Sequence, residues 1–213
     1  MGTAYIYDAV RTPRSKGKAT GTLHEIKPVQ LAAGLLRELQ GRHDLDTSKV
    51  DDVVLGCVTP VGDQGSNIAK AASQAAGWDQ SVAGVQMDRF CASGLEAVNS
   101  AAAKIGVGWQ EMVVAGGVES MSRSPMGANG GAMMTDADFV VNQRSVPQGI
   151  GADLIATLDG YSRETVDAFA AESQRRASYA RAQGWFDRSV VAVKDRNGMT
   201  VLERDDYIRP GTT

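Results

Sequence analysis

Strand patterns and helix patterns alternate up to Gly117, and this order constrains the fold more than any other feature of the sequence. The predicted strands cover residues 4–9, 50–58, 82–87 and 112–115, and the predicted helices cover residues 28–42, 67–76 and 93–106. Crossovers of this length join parallel strands. The order βαβαβαβ therefore predicts an α/β fold with a mostly parallel sheet.

Beyond the fourth strand the pattern changes. Residues 120–149 are rich in Met, Gly, Asn and Asp, and their weak periodicity predicts a long loop of the kind that often carries function. Two helices are then predicted, over residues 151–158 and 163–183. Ser162 is the expected N-cap of the second, and Val166 and Phe169 are expected on its inward face.

Near the end of the chain, Asn197-Gly198 lies between two apolar runs and predicts a β-hairpin. We expect two domains in all. Residues 1–119 form the α/β domain, and residues 120–213 form an inserted, helix-rich loop domain.

The composition excludes several classes of protein. With 43% hydrophobic residues the chain can build a core, so it is not a disordered chain. A net charge of −3 is not that of a nucleic-acid binder, and the only basic run, Arg11 to Lys18, is typical of a solvated loop. No apolar run is long enough to span a membrane, and no signal-peptide pattern opens the chain. We therefore expect a cytoplasmic protein.

Two cysteines stand in different contexts. Cys91 lies between a predicted strand and a predicted helix, where the unpaired N–H groups of a helix start favour a negatively charged thiolate. On the residues alone, a reactive thiol and a buried structural thiol are equally open for Cys91. Cys57 lies inside the Val-rich second strand, which favours a small buried hydrophobe.

Other candidate sites are weaker. His24 and His43 are expected at the surface, and no local pattern makes either one the base for Cys91. The cysteine spacing does not predict a zinc site, and no other metal site is expected. The glycine-rich run at residues 62–67 lacks the Lys of a P-loop. Met121 and Met126 could line an adaptable acyl pocket or could simply pack.

Several segments together resemble the thiolase family. They are the R-T-P run at residues 11–13, the G-x-x-x-N run and Ala-rich helix at 62–76, the cysteine signature at 89–97, the G-G-x-E-x-M-S run at 116–122, and residues 206–213. Residues 149–156 look closest to the β-subunit of the trifunctional fatty-acid oxidation complex and its bacterial relatives.

The resemblance implies a 3-ketoacyl-CoA thiolase of β-oxidation, an acyltransferase in which Cys91 takes the acyl group. Coenzyme A would be substrate and product, with no permanently bound cofactor. Pro147-Gln148 falls where short-chain biosynthetic members carry His-Met, which favours longer or bulkier acyl chains. Gln148, Met121 and Met126 are the expected substrate contacts. Asp88 stands where many members have Asn, and we expect its role to be structural.

The chain lacks other motifs that the resemblance calls for. The family uses a second cysteine in C-x-G, a Gly-His-Pro histidine and an Asn-Glu-Ala-Phe asparagine, and none of these motifs is present. The chain therefore looks like the N-terminal half of a thiolase, inactive by itself and completed by a C-terminal segment. The family also implies a homodimer or a dimer of dimers, with a trifunctional-complex α subunit as a further partner.

Two other functions are open at this stage. A half-thiolase could be non-catalytic, either binding acyl-CoA or lipid or serving as an assembly partner of a true thiolase. A related condensing enzyme such as a ketosynthase is the other alternative, and the G-G-x-E-x-M-S run at residues 116–122 argues against it.

Overall fold

The computed structural model describes residues 2–213, which form two compact units. The first unit runs to Asn129 and also includes Arg188–Asp206, whereas the second comprises Gly130–Asp187 and Tyr207–Thr213. The helices are α1 (Pro28–His43), α2 (Ile68–Ala76), α3 (Ser93–Gly106), α4 (Ala132–Thr135), α5 (Ala137–Asn142), α6 (Gln148–Leu158) and α7 (Arg163–Ala182). The strands are β1 (Asp52–Gly56), β2 (Ala83–Met87), β3 (Val113–Gly117), β4 (Val193–Lys194) and β5 (Thr200–Leu202). The division at residue 119 stays a prediction for the domains of the whole protein.

A parallel sheet forms the centre of the first unit. β1 is its middle strand and pairs in parallel with β2 on one side and β3 on the other. Val54 of β1 lies opposite both Val85 and Ala115. All of β1 is buried, as expected for a strand covered by helices on both faces. The predicted α/β fold with a parallel sheet is confirmed.

Different helices cover the two faces of the sheet, because successive side chains of a strand point to opposite sides. Val53 and Leu55 belong to the hydrophobic core that β1 forms with α1 and α2. From the other face, Asp52 binds Lys104 of α3 at 2.7 Å, and Gly56 lies against the start of α3. α3 therefore packs on the face opposite α1 and α2.

The strand predicted over residues 4–9 is wrong. Within residues 2–213 this segment belongs to no strand, and the Tyr7 side chain is 89% exposed. The N–H of Gly2 donates to the Gly106 carbonyl at 2.8 Å and fixes one end of the segment. Aromatic and β-branched residues favour extended backbone, but a strand also needs a partner ladder, which such a pattern cannot reveal.

The predicted hairpin is confirmed and is shorter than the apolar runs indicate. β4 and β5 pair antiparallel around Asn197-Gly198, and Gly198 has a φ of 82°. Asp195 Oδ1 accepts hydrogen bonds from the N–H groups of Asn197 and Met199. The Asp195 carboxylate therefore fixes the shape of the turn, and strand pairing between β4 and β5 begins only on either side of the turn.

The second unit is helical. α4 and α5 lie inside residues 120–149, so the long loop predicted there is wrong over those two helices. The cause is a local cap: Asp136 Oδ1 accepts from the Phe139 N–H at 2.9 Å and begins α5. α6 begins at Gln148, three residues earlier than predicted.

The last helix, α7, begins as predicted. Ser162 is its N-cap, and its Oγ accepts from the Thr165 N–H at 3.2 Å. The predicted inward face is wrong, because no residue of α7 is buried and Phe169 is 80% exposed. The 3.6-residue pattern places apolar residues on one face of the helix, but it does not identify the element that packs against that face. None of the helices in residues 2–213 is both long and apolar enough to span a membrane.

Candidate active site

Cys91 lies in the turn between β2, which ends at Met87, and α3, which begins at Ser93. The strand–turn–helix context predicted for this cysteine is confirmed, and its side chain is exposed. In a parallel sheet the carboxyl ends of strands are where reactive groups gather. The structure therefore favours an accessible thiol over a buried one.

Side chains of the turn itself hold its shape. Asp88 Oδ1 accepts from the Phe90 N–H at 2.8 Å, in keeping with the structural role expected for Asp88. Ser93 Oγ accepts from the Arg89 N–H at 2.8 Å and donates to the Phe90 carbonyl at 2.6 Å. Hydrogen bonds therefore join Arg89 and Phe90, which precede Cys91, to Ser93, which follows it.

No side chain caps the first turn of α3, although the Ser93 N–H donates to the Phe90 carbonyl at 2.9 Å. The N-cap of α3 is Ala92, which supplies no side-chain hydrogen bond to that turn. The first N–H groups of a helix carry a partial positive charge and bind anions. A thiolate or an oxyanion formed at Cys91 would lie beside groups of this kind.

Backbone contacts set the position of this helix start. A Cβ added to Gly56, at the end of β1, would lie 2.4 Å from the Ser93 carbonyl carbon and 2.6 Å from the Gly94 nitrogen. A Cβ on Gly117, at the end of β3, would lie 3.5 Å from Gly94 Cα. The start of α3 therefore rests directly on the backbone of β1, where only glycine permits the approach, and lies in van der Waals contact with the end of β3.

Glu119 and Gln64 join the ends of β1 and β3. Glu119 Oε2 accepts from the Val58 N–H at 2.7 Å, and Oε1 accepts from Gln64 Nε2 at 2.8 Å. Gln64 is 0% exposed, and its own oxygen accepts from the Ser120 N–H. Sequence reasoning placed Glu119 in a motif but missed Gln64, whose only signal was its position inside the glycine-rich run at 62–67.

Cys57 is buried, as predicted, with 1% of its surface exposed. Burial, with a smaller contribution from the nearby Glu119 carboxylate, raises the pKa of its thiol to about 11. A thiol with such a pKa stays protonated at neutral pH. Cys57 therefore acts as a small core residue and not as a second nucleophile.

The two histidines have other partners. His43 is exposed, as predicted, and its Nε2 lies 2.9 Å from Asp8 Oδ2, a contact that lowers the pKa of Asp8. His24 is half-buried instead of exposed, and its carbonyl accepts from Arg123 Nη1 at 2.9 Å. This bond holds the loop that carries His24 inward, which the local sequence did not reveal. Across residues 2–213 no group of His, Cys, Asp and Glu side chains could hold a metal ion.

The predicted substrate contacts lie in both units. Met121 and Met126 are in the first unit with Cys91, and both side chains are exposed. A Cβ on Gly17 would lie 3.0 Å from Met121 Cβ, so that methionine packs against the loop after the R-T-P run. Gln148 is in the second unit, where it is exposed and opens α6. Their role as substrate contacts stays a prediction.

Known proteins resemble the chain over its whole length. It is 38% identical to a 3-oxoadipyl-CoA/3-oxo-5,6-dehydrosuberyl-CoA thiolase of Escherichia coli (strain K12), over 100% of this chain and 58% of that protein. It is 35% identical to a 3-ketoacyl-CoA thiolase of Colwellia psychrerythraea, over 100% of this chain and 56% of that protein. The chain thus spans little more than half the length of these curated relatives.

A solved structure and a family profile agree with these relatives. The crystal structure of the Bacillus anthracis acetyl-CoA acetyltransferase matches with a TM-score of 0.80 and 32% identity, covering 98% of this chain and 55% of that one. The profile described as the thiolase N-terminal domain matches residues 4–213. The chain therefore belongs to the thiolase family, and it corresponds to the N-terminal domain of that family.

Proposed function

We propose that this chain carries the nucleophile of a thiolase that transfers acyl groups between coenzyme A thioesters. The observation that supports the proposal is Cys91, an exposed thiol on a bonded strand-to-helix turn in a chain of the thiolase family. A thiolate is a soft nucleophile suited to forming a thioester intermediate. The proposal does not extend to Cys57, whose thiol is buried and protonated.

In the degradative direction, the Cys91 thiolate adds to the 3-keto carbon of a 3-ketoacyl-CoA. The bond between carbons 2 and 3 then breaks, its electron pair stays on carbon 2, and that carbon takes a proton to give acetyl-CoA. The acyl group remains on Cys91 as a thioester. A second coenzyme A attacks this thioester through its sulfur, releases acyl-CoA and restores the thiolate, and the reverse sequence is a Claisen condensation.

The negative charge that develops on the substrate oxygen needs hydrogen-bond donors. The backbone N–H of Cys91 is one such donor, and the uncapped first turn of α3 supplies a field of the same sign. The acid and base that move the protons would come from a C-terminal segment that completes the site. Coenzyme A enters as substrate and leaves as product, and the proposal needs no permanent cofactor.

The acyl chain would be longer or bulkier than acetyl. Several relatives are named for 3-oxoadipyl-CoA, β-ketoadipyl-CoA and 3-ketoacyl-CoA. The exposed thioethers of Met121 and Met126 can adapt to an acyl chain, and Gln148 would add a polar contact. We therefore propose these three residues as acyl contacts in the complete site.

The complete enzyme would be an assembly. We propose that a complementary C-terminal thiolase segment joins this chain and that the result forms a homodimer or a dimer of dimers in the cytoplasm. A trifunctional-complex α subunit is a further candidate partner. Intact-mass analysis of everything that co-purifies with the chain from its native source tests this, and a chain purified alone in an active state would contradict it.

Acylation of the purified chain tests the role of Cys91. The chain is incubated with acetyl-CoA or octanoyl-CoA, and the mass of the intact protein is measured. We expect one added acyl group, transferred from the coenzyme A sulfur to Cys91, without sustained turnover. Cys57→Ala should gain the same group, and Cys91→Ala should gain none. Acyl-CoA binding without any covalent mass would instead support a non-catalytic half-thiolase.

A further inference from the structure

The turn that carries Cys91 adopts a conformation that its own sequence disfavours. Phe90, the residue before Cys91, has a φ of 49°. This is the left-handed region, where a bulky L-residue is an outlier because its Cβ crowds the backbone. Such a conformation persists only where surrounding contacts hold it.

One hydroxyl group supplies two of those contacts. Ser93 Oγ accepts from the Arg89 N–H at 2.8 Å and donates to the Phe90 carbonyl at 2.6 Å. It therefore bonds the residue before Phe90 and Phe90 itself. Ser93 is 3% exposed, so water could not readily replace the hydroxyl after its removal.

The hydroxyl is itself fixed to the sheet. The close approach of Gly56 to the Ser93 backbone places this serine against the end of β1. The Ser93 N–H also donates to the Phe90 carbonyl at 2.9 Å. The Ser93 side chain and backbone thus both link the end of the buried strand to the strained turn, and the side chain alone reaches the Arg89 N–H as well as the Phe90 carbonyl.

We propose that Ser93 is a positioning residue that holds Cys91 at the start of α3. It does so by locking Phe90 in the left-handed conformation, which keeps the thiol at the first turn of a helix that no side chain caps. Ser93 acts through the turn and touches no reacting atom. The inference rests on the proposed function of Cys91 as the nucleophile.

The test measures the rates at which iodoacetamide alkylates Cys91 and Cys57 in the 213-residue chain. The masses of the peptides that carry each cysteine distinguish the two rates. In Ser93→Ala the turn should relax, and the Cys91 rate should fall about tenfold, the effect of losing two hydrogen bonds at a buried site. The Cys57 rate should stay as in the wild type. Ser100→Ala, two turns further along α3, is the matched control and should leave both rates unchanged.

A second substitution separates positioning from general loss of structure. Asn tolerates the left-handed region better than Phe, so Phe90→Asn should lessen the need for the Ser93 hydroxyl. The double variant Phe90→Asn with Ser93→Ala should recover most of the lost Cys91 rate. An unchanged Cys91 rate in Ser93→Ala overturns the inference, as does a rise in Cys57 labelling or a double variant as slow as Ser93→Ala.

The same variants keep the inference distinct from the proposed function. If the wild type is not acylated by acyl-CoA but Ser93→Ala slows alkylation, the positioning role stands and the proposed function fails. If the wild type is acylated and Ser93→Ala alkylates at the wild-type rate, the proposed function stands and the positioning role fails.

Discussion

The Arg11 guanidinium and the Asp205 carboxylate form a two-point ion pair, with Nη1 and Nη2 lying 2.7 and 2.8 Å from the two carboxylate oxygens. Asp205 Oδ1 also accepts from the Arg14 N–H at 2.7 Å. The N–H of Arg11 donates to the Ser189 carbonyl at 2.8 Å. The segment that returns to the first unit is therefore tied to the R-T-P run at its beginning and near its end.

Replacing Arg11 by Lys should destabilise the chain. Lys keeps the charge but cannot bridge both oxygens, so Arg and Lys are not interchangeable at such a site. We expect the free energy of unfolding to fall by about 1–3 kcal/mol, as for a hydrogen-bonded charge that loses its partner geometry. Urea unfolding followed by circular dichroism measures the change. Arg163→Lys is the control, because the Arg163–Asp167 pair is exposed and should contribute less than about 1 kcal/mol.

This stabilisation should depend on pH in a defined direction. The hydrogen bond from Arg11 lowers the pKa of Asp205 below its ordinary value of 3.8. Asp205 therefore binds a proton more readily in the unfolded chain than in the folded one. Its contribution to the free energy of unfolding is complete above the pKa it has in the unfolded chain, and it is lost as the pH falls through the lower pKa it has in the folded chain. The stability difference between wild type and Arg11→Lys should shrink below about pH 4. A difference that stays constant down to pH 2 would contradict this cause.

Cys91 should react with alkylating reagents far faster than Cys57. The thiolate is the nucleophile, and with its pKa raised to about 11 the Cys57 thiol is about one part in a thousand ionised at pH 8. Burial of Cys57 slows the reagent further. We expect a rate ratio of at least about 100, measured by peptide mass after timed labelling. Equal labelling of the two cysteines in a folded sample would refute the assignment of Cys91 as the accessible thiol.

Gly56→Ala should displace the start of α3. The added Cβ would meet the Ser93 and Gly94 backbone at 2.4 and 2.6 Å, and backbone atoms cannot rotate away. Overpacking of this kind costs about 1–3 kcal/mol of stability. Slower alkylation of Cys91 should accompany the loss. Gly34→Ala in α1 is the matched control, because a Cβ there meets nothing within 4 Å and should stabilise the helix by about 0.5–1 kcal/mol.

Glu119→Gln should loosen the ends of β1 and β3. The Glu119 carboxylate accepts from both the Val58 N–H and Gln64 Nε2, and an amide can accept only at its oxygen. We expect a loss of about 1–3 kcal/mol from the unpaired donor. Loss of the charge should also lower the pKa of Cys57, since Glu119 contributes to its rise. Cys57 should then alkylate faster near pH 10, whereas Glu203→Gln should change neither property.

The sequence predicted the helix after Cys91 fully, because α3 combines an apolar stripe with strong helix formers and runs over residues 93–106 as expected. It failed at residues 4–9, where Tyr and Ile favour extended backbone but the pairing partner cannot be read from the pattern. It also missed Gln64, because a buried glutamine in a glycine-rich run looks like an ordinary loop residue until its distant partner Glu119 is known. Local sequence patterns thus predicted most helices and strands, but they could not predict hydrogen bonds between residues far apart in the chain.

The contact of Gly56 with the start of α3 has a consequence for how sequences of this kind can diverge. The start of α3, which follows Cys91, rests main chain on main chain against β1, with no side chain interposed at that point. Substitutions among the apolar residues around Val53 and Leu55 would alter how much free energy the core contributes while leaving the thiol where it is. Core residues can therefore be substituted during evolution while the position of the Cys91 sulfur changes little.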